Sequence, residues 1–323
     1  MKMLAGQIIA PRQIEMIEIP IPEAGEQQLV VKVEAGAICG SDLPYFLLDT
    51  SHPSLAGASP PLPPTLSLHE LVGTVAQSRS RRFKEGDRVL ALPYNHHGLA
   101  EYFLTEPDLV VPIPQGAAER LVLSQPLGTV VHACLKLPNL LGQTAVVLGQ
   151  GPIGQLFCAL LCRMGVLRVI AVDLLSERLE ISRKMGATDI VCGDSMVVTE
   201  AVWMLTAGQG VDLVVEAVGT EGTLNLATRL VQRGGIVMAF GLPHRKQYDF
   251  AFNDFFYKEG RLINSVGPNV QRDFPIAVEM IAHNLIDVGP LVTHCLPLSR
   301  AQDGFLLFAE RREAALKVVL TTG

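Results

Sequence analysis

The hexapeptide Gly149-Gln150-Gly151-Pro152-Ile153-Gly154 constrains this chain more than any other stretch. It follows the apolar run Ala145-Val146-Val147-Leu148 and opens a helical stretch from Ile153 to Met164. A second apolar run, Val166 to Val172, ends in Asp173, near the offset of about 20 residues expected of a ribose-binding acid. Glycines there permit a tight turn and let backbone N–H groups approach a pyrophosphate, while the helix N-terminus adds partial positive charge. Asp173 would accept hydrogen bonds from adenosine ribose hydroxyls and repel a 2′-phosphate, which favours NAD over NADP. The competing reading is a glycine turn in an ordinary α/β domain with Asp173 as a helix cap. Strand, helix and acid coincide, and that coincidence argues against it.

From about Gly142 to Gly267 strand-like and helical segments alternate. Apolar runs at Ala145–Leu148, Val169–Val172, Asp189–Val191, Val211–Val215, Ile236–Phe240 and Leu262–Val266 predict six strands. Ser176–Met185, Val197–Leu205 and Gly222–Val231 predict helices between them. Right-handed crossovers make such a series a doubly wound parallel sheet, with its ligand crevice at the carboxyl ends of the strands. Gly149, Asp173 and Gly219 all fall there. Residues 1 to about 138 read differently. Short alternating runs (Leu29–Glu34, Leu71–Ala76, Arg88–Leu92, Ala100–Leu104) between Gly and Pro turns predict a compact antiparallel β domain. The Pro-, Ser- and Ala-rich stretch from Pro53 to Pro64 predicts an exposed loop. After Gly267 a helix (Phe274–Asn284) and an apolar strand (Lys317–Leu320) are expected to return to the first domain.

A chain of 323 residues is long enough for two cores, and 49% hydrophobic with 18% charged residues is a globular composition. The net charge of −6 gives no reason to expect nucleic acid or an anionic membrane as partner. No apolar stretch is long enough to span a bilayer, and the first residues lack a signal peptide's apolar core. Six cysteines without a CxxC pair suit a reducing cytoplasm, without a disulfide framework. Cys158 and Cys162, one helical turn apart, read as core filling. The basic cluster Arg79 to Lys84 reads as a solvated hairpin.

Cys39-Gly40-Ser41-Asp42 and, some thirty residues on, His69-Glu70 bring a thiolate, an imidazole and a carboxylate to the ends of β runs. That set suits Zn²⁺ with a position left open. Each residue alone is equally compatible with a structural role.

Taken in order, Cys39-Gly40-Ser41-Asp42, His69-Glu70, Gly86-Asp87-Arg88-Val89, Ala100-Glu101-Tyr102 and Gly149-Gln150-Gly151-Pro152-Ile153-Gly154 resemble the zinc-dependent medium-chain dehydrogenase/reductase (alcohol dehydrogenase) family, nearest its sorbitol (polyol) branch. The resemblance spans nearly the whole chain. It implies a GroES-like β-rich catalytic domain (1–138, completed by 268–323), a Rossmann NAD-binding domain (139–267) and an active site in the cleft between them. Cys39 and His69 match the first two ligands of the catalytic zinc, and Glu70 matches a carboxylate that ligates or approaches it. Gln125, in Gln125-Pro126-Leu127, stands where the family commonly has a glutamate, an amide in place of a carboxylate ligand or water-holder. Ser41 matches the hydroxyl that hydrogen-bonds the substrate oxygen and starts a proton relay. Thr129 matches a residue beside the nicotinamide. Val218 and Gly241 lie at strand ends that contact the nicotinamide half. Arg178 would cover the adenine or reach a phosphate, or serve as an exposed helix charge.

The chain departs from the pattern at Pro44, where many members place a relay histidine, and at Leu68, where a glycine usually precedes the zinc histidine. His52 is another candidate group for proton exit. The family's structural-zinc lobe needs four cysteines after Val89. Here only Leu90 to His97 precede Gly98, so one catalytic zinc and no structural zinc is expected. His96 and His97 read as solvated loop residues, and Tyr45 and Phe46 as pocket lining or core. Glu216 reads as structural. The expectation is hydride transfer between a secondary alcohol or polyol, or the matching ketone, and NAD(H), by a homodimer or homotetramer pairing through the Leu262–Val266 edge. A zinc-free reductase acting on an activated C=C bond, and a non-catalytic dinucleotide-binding protein, are the alternatives.

Overall fold

A computed structural model describes residues 1–52, 55–243 and 245–322. It divides into two compact units, Met1–Gly128 with the stretch from Asn269 onward, and Thr129–Pro268. The first unit opens with a hairpin that the sequence reading missed, β1 (Lys2–Ala10) against β2 (Gln13–Pro20), paired from Lys2↔Pro20 to Ala10↔Gln13. Its turn uses Arg12 at φ 65°, a non-glycine in the left-handed region, so no Asn-Gly or Gly-Gly signature marks it. β3 (Leu29–Ala37) follows, then the short α1 (Leu43–Leu47), β4 (Glu70–Ser78), β5 (Arg88–Ala91), β6 (Tyr102–Thr105), β7 (Val110–Pro112) and α2 (Ala118–Leu121). α3 (Ser124–Cys134) leads into the second unit.

That unit alternates β8 (Thr144–Leu148), α4 (Pro152–Arg163), β9 (Arg168–Asp173), α5 (Ser176–Lys184), β10 (Asp189–Cys192), α6 (Ser195–Leu205), β11 (Val211–Glu216), α7 (Glu221–Leu230), β12 (Val231–Ala239), α8 (Phe252–Tyr257) and β13 (Arg261–Asn264). The six strands lie in the order β10-β9-β8-β11-β12-β13, all parallel. Order reverses between β8 and β11, which places the ligand crevice of a doubly wound sheet beside β8. Val146, Val147, Ile170, Val214 and Val237 are fully buried, as strands covered by helices on both faces require. α4 starts at Pro152 with Gly151 as N-cap, because proline's fixed φ suits a first helical residue and its missing N–H costs nothing there. Thr220 caps α7 in a reciprocal box with Thr223. α8 was not anticipated. On α4, Cys158 is buried but Cys162 is exposed, so only the first fills the core.

The chain then returns through α9 (Val270–Ala282), β14 (Val292–Pro297), α10 (Ala301–Glu310) and β15 (Lys317–Thr321). β15 adds antiparallel to β3, with Val319 opposite Ala37, and β14 lies parallel outside it. The resulting seven-stranded sheet runs β14-β15-β3-β4-β5-β7, with β6 also paired to β3. β3 is buried at seven of its nine positions, as befits a strand paired on both sides. Phe46 of α1 packs against Phe305 of α10 with tilted rings 5.2 Å apart, which fixes it as core rather than pocket wall. The Pro-rich stretch is not simply exposed: Leu55 and Leu62 are 1% and 2% accessible and join this core, while Pro53 and Ser54 lie outside the described residues. Each leucine removed from water there contributes about 1.5–3 kcal/mol, which favours keeping this Pro-, Ser- and Ala-rich loop against the core. No described helix is long and apolar enough to cross a membrane.

Candidate active site

β3 and β4 pair antiparallel with Ala37 opposite Glu70, so residues just past the end of one strand meet residues at the start of the other. Cys39 lies two residues beyond β3, His69 immediately precedes β4, and Glu70 opens it. Among the described residues, these three are the group of His, Cys, Asp or Glu side chains whose donor atoms all lie within 4.8 Å of one another. Sulfur, nitrogen and oxygen donors at that spacing match the preferences of zinc, so the residues present fit the metal.

Asp42 organises the cluster, a role that its place in the Cys39–Asp42 motif does not announce. Its carboxylate is fully buried at the head of α1. Oδ2 accepts from the Cys39 N–H at 2.8 Å; Oδ1 accepts from the Leu68 N–H at 2.9 Å and the Ser67 hydroxyl at 3.2 Å, and faces His69 Nδ1 at 3.3 Å. Both donor segments are thereby clasped by one side chain. Burial pushes the Asp42 carboxyl up, but the facing imidazole and these hydrogen bonds outweigh it and hold the group below its ordinary value. For His69 burial acts downward, and the opposing charge of Asp42 prevails to leave the metal-free imidazole well above 6.5. Asp42 engages Nδ1, so Nε2 is left to the cluster, where Ser41 Oγ lies 3.5 Å away. A carboxylate behind a ligating histidine is the usual device for fixing tautomer and ring orientation.

Leu68 takes the conformation that glycine would supply, φ 68°, after Ser67 at 102°. β3 provides the space for its side chain: a Cβ on Gly36 would come within 2.6 Å of Leu68 Cδ2. Leu68 itself is 1% exposed and belongs to the core.

Glu70 has a partner that the motif did not reveal. Lys317, on β15 and 1% exposed, donates from Nζ to Glu70 Oε2 at 2.5 Å, to Oε1 at 2.6 Å and to the Ile38 carbonyl at 3.2 Å. Burial lowers the lysine's affinity for its proton, but the Glu70 charge more than reverses this and raises its pKa. The signal in the sequence was a lone cation opening an otherwise apolar strand. Gln125 lies on α3 and is buried at 6% exposure.

His96 is solvated as expected, and it also stands beside the donor cluster. It is exposed, but its ring meets that of His69 edge-on with centroids 5.2 Å apart, and lies 6.2 Å from Tyr45, itself 6.2 Å from His52. His97 is pinned through Nδ1 to Thr65 Oγ1 at 2.8 Å and to the Pro64 carbonyl at 3.1 Å. Pro44 is the second residue of α1 and carries no side-chain proton acceptor.

In the second unit the glycine turn sits at the carboxyl end of β8. Gly149 is at φ 90°, and a Cβ there would lie 2.5 Å from Val218. Gly154 admits no side chain, since its Cβ would stand 1.8 Å from the Gly149 carbonyl oxygen. At Gly151 nothing lies within 4 Å of the same construction, which leaves the open approach a pyrophosphate needs, at the head of the 12-residue α4 beside Pro152 and Ile153. Asp173 Oδ2 accepts from the Gln150 N–H at 2.6 Å and Oδ1 from the Leu175 N–H at 3.0 Å. Each oxygen keeps a lone pair for a ribose hydroxyl. Arg178 on α5 approaches Asp173 at 3.9 Å. Glu216 Oε1 accepts from the N–H groups of Val218 and Gly219 and from the Thr223 hydroxyl, each at 2.8 Å, which is the structural role expected of it. Gly241 is required by packing, because a Cβ on it would lie 2.1 Å from the Gly219 nitrogen. Thr129 is on α3, half-buried.

Two family models match this chain: a zinc-binding dehydrogenase over residues 152–283 and an alcohol dehydrogenase GroES-like domain over 25–115. The L-threonine 3-dehydrogenase of Bacillus velezensis is 28% identical across 94% of each chain. The sorbitol dehydrogenase of Bacillus subtilis is 27% identical across 96% of this chain and 94% of that protein. The alcohol dehydrogenase of Thermus sp. ATN1 shares the fold with a TM-score of 0.87 at 24% identity, over 99% of this chain and all of the other.

Proposed function

Because the chain belongs to the zinc-type medium-chain dehydrogenase/reductase family, we propose that it transfers a hydride between a secondary alcohol or polyol, or the matching ketone, and NAD(H). The observation that carries this reading is the convergence of Cys39, His69 and Glu70 within 4.8 Å over a buried Asp42. Cys39 and His69 would hold the metal, with Glu70 or Gln125 completing or adjusting the set. Zinc there supplies a Lewis acid for the alcohol oxygen, and NAD⁺ in the second unit supplies the hydride acceptor. Asp42 keeps the His69 ring in the orientation that presents Nε2. Ser41 Oγ, beside that nitrogen, would hydrogen-bond the reacting hydroxyl and accept its proton while passing its own proton on to solvent.

The turn at Gly149, Gly151 and Gly154, with Pro152 and Ile153 at the head of α4, would bind the pyrophosphate. Asp173 would bind the adenosine ribose, Arg178 would cover it, and Thr129, Val218 and Gly241 would flank the nicotinamide half. The carboxylate of Asp173 favours NAD over NADP. The short β5–β6 connection, without cysteines, supports one catalytic zinc and no structural one. Free cysteines throughout support a cytoplasmic setting. The β13 edge, with Leu262 41% exposed, and Val266 two residues beyond it at 80%, is where a homodimer or homotetramer would pair.

Elemental analysis of protein purified without added metal tests the reading, with Cys39→Ala alongside and an alcohol panel run with NAD⁺ and NADP⁺. About one zinc per chain, lost in the variant, together with NAD⁺-dependent oxidation, is the expected result. Wild-type protein without zinc would remove the mechanism.

A further inference from the structure

The β5–β6 connection is short and unusually shaped. Asn95 and His96 both sit in the left-handed region, at φ 50° and 61°. Such conformations strain residues that carry a side chain and persist where the surroundings over-determine them. Here they do: the His96 carbonyl accepts from the Ser67 N–H at 2.8 Å, and the Gly98 N–H donates to the Ser67 carbonyl at 3.1 Å. His97 is fastened to Thr65 and Pro64. The loop is thus stitched to the segment that leads into His69, and the result is to hold the His96 imidazole edge-on against His69 at 5.2 Å. His96 is exposed, so burial does not explain its position. It is not one of the three side chains whose donor atoms converge within 4.8 Å. An accessible hydrogen-bonding ring therefore stands next to the donor cluster, outside it, on strained backbone.

We infer that His96 is a specificity-determining residue that hydrogen-bonds a second oxygen of the substrate, on the carbon next to the one that reacts. This rests on the alcohol dehydrogenase reading above. A substrate whose reacting oxygen lies at Cys39 and His69 extends its neighbouring hydroxyl toward the His96 ring, and a mono-alcohol offers that ring nothing. The imidazole can donate or accept, according to tautomer, so the contact requires no change of charge.

The test uses the zinc-loaded full chain with NAD⁺ and a matched pair of substrates, butan-2-ol and butane-2,3-diol. Wild type, His96→Ala and His96→Gln are compared by the ratio of kcat/KM for diol to that for mono-alcohol. Removal of one neutral hydrogen bond predicts that the ratio falls about five- to tenfold in His96→Ala, mostly through KM, and recovers in part in His96→Gln. An unchanged ratio in His96→Ala overturns the assignment, as does loss of zinc from that variant, which would make His96 a metal ligand. If wild type oxidises neither compound nor any member of the alcohol panel, the parent reading fails instead. Equilibrium dialysis of the diol against zinc- and NADH-loaded protein then decides His96 separately. Weaker binding by His96→Ala supports the contact, and equal binding refutes it.

Discussion

Replacing Lys317 with methionine would show how far the donor cluster depends on its counter-charge. The ammonium is 1% exposed and makes three hydrogen bonds, to both Glu70 oxygens at 2.5 and 2.6 Å and to the Ile38 carbonyl at 3.2 Å. Methionine keeps an unbranched stem of similar length and removes every donor. Glu70 is itself fully buried, so no water replaces them. Breaking a buried ion pair from one side costs about 3–5 kcal/mol, because the remaining charge stays in the interior uncompensated. Removing both charges costs less, since the desolvation penalty of the pair is relieved at the same time.

Urea unfolding of chelator-treated protein at pH 7 should therefore show Lys317→Met destabilised by about 3 kcal/mol or more. Lys317→Met with Glu70→Gln should recover about 1–2 kcal/mol of that loss, a coupling that a double-mutant cycle measures directly. A single-variant loss below about 1 kcal/mol, or additivity in the cycle, would refute the argument from buried charge. The pH dependence has a fixed sign. The folded lysine's pKa lies above its ordinary 10.5. Its contribution is intact below that ordinary value and is lost as pH rises through the folded one. The gap in stability between wild type and Lys317→Met should accordingly shrink on the alkaline side.

Asp42→Asn keeps the shape of the clasp but removes its charge, and zinc affinity should fall about 10- to 100-fold. Competition with a chromogenic chelator reads this, and unchanged affinity would mean that Asp42 serves the backbone alone. Leu68→Gly relieves a left-handed residue, worth about 1–2 kcal/mol, but empties a core position whose truncation costs about 2–5 kcal/mol. A net loss of about 1–3 kcal/mol in urea unfolding is expected. A gain would show that strain before His69 exceeds the packing of Leu68.

The parallel sheet was legible because its signals are local: each strand is an apolar run, each crossover a nearby helix, and the Gly149 turn joins two neighbouring elements. Cys39 and His69 were legible because their spacing survives as a motif. What escaped depends on distant partners or on single torsions. Lys317 is 247 residues from Glu70, and nothing in the residues around either one announces the other. Leu55 and Leu62 sit in a composition that reads as loop, and only tertiary contact buries them. The β1–β2 turn relies on Arg12 at a positive φ, and the approach of His96 to His69 on two more such residues. Torsions of this kind are imposed by surrounding hydrogen bonds rather than by residue type.

The position of β15 in the chain has a consequence for biosynthesis. Every strand of the parallel sheet lies in one uninterrupted stretch and can close while later residues are still being made. The GroES-like sheet must wait, because β3 obtains its β15 neighbour only after the whole of that stretch has left the ribosome. Until then Glu70 has no Lys317, and the lower edge of β3 is an open template for other strands. Completion of that sheet thus follows the synthesis of the parallel one, and the residue that pairs with Glu70 arrives only after it. A nascent chain halted before β15 would carry Cys39 and His69 but no ammonium for Glu70, and would be exposed to chaperones at the strand edge it had not yet covered.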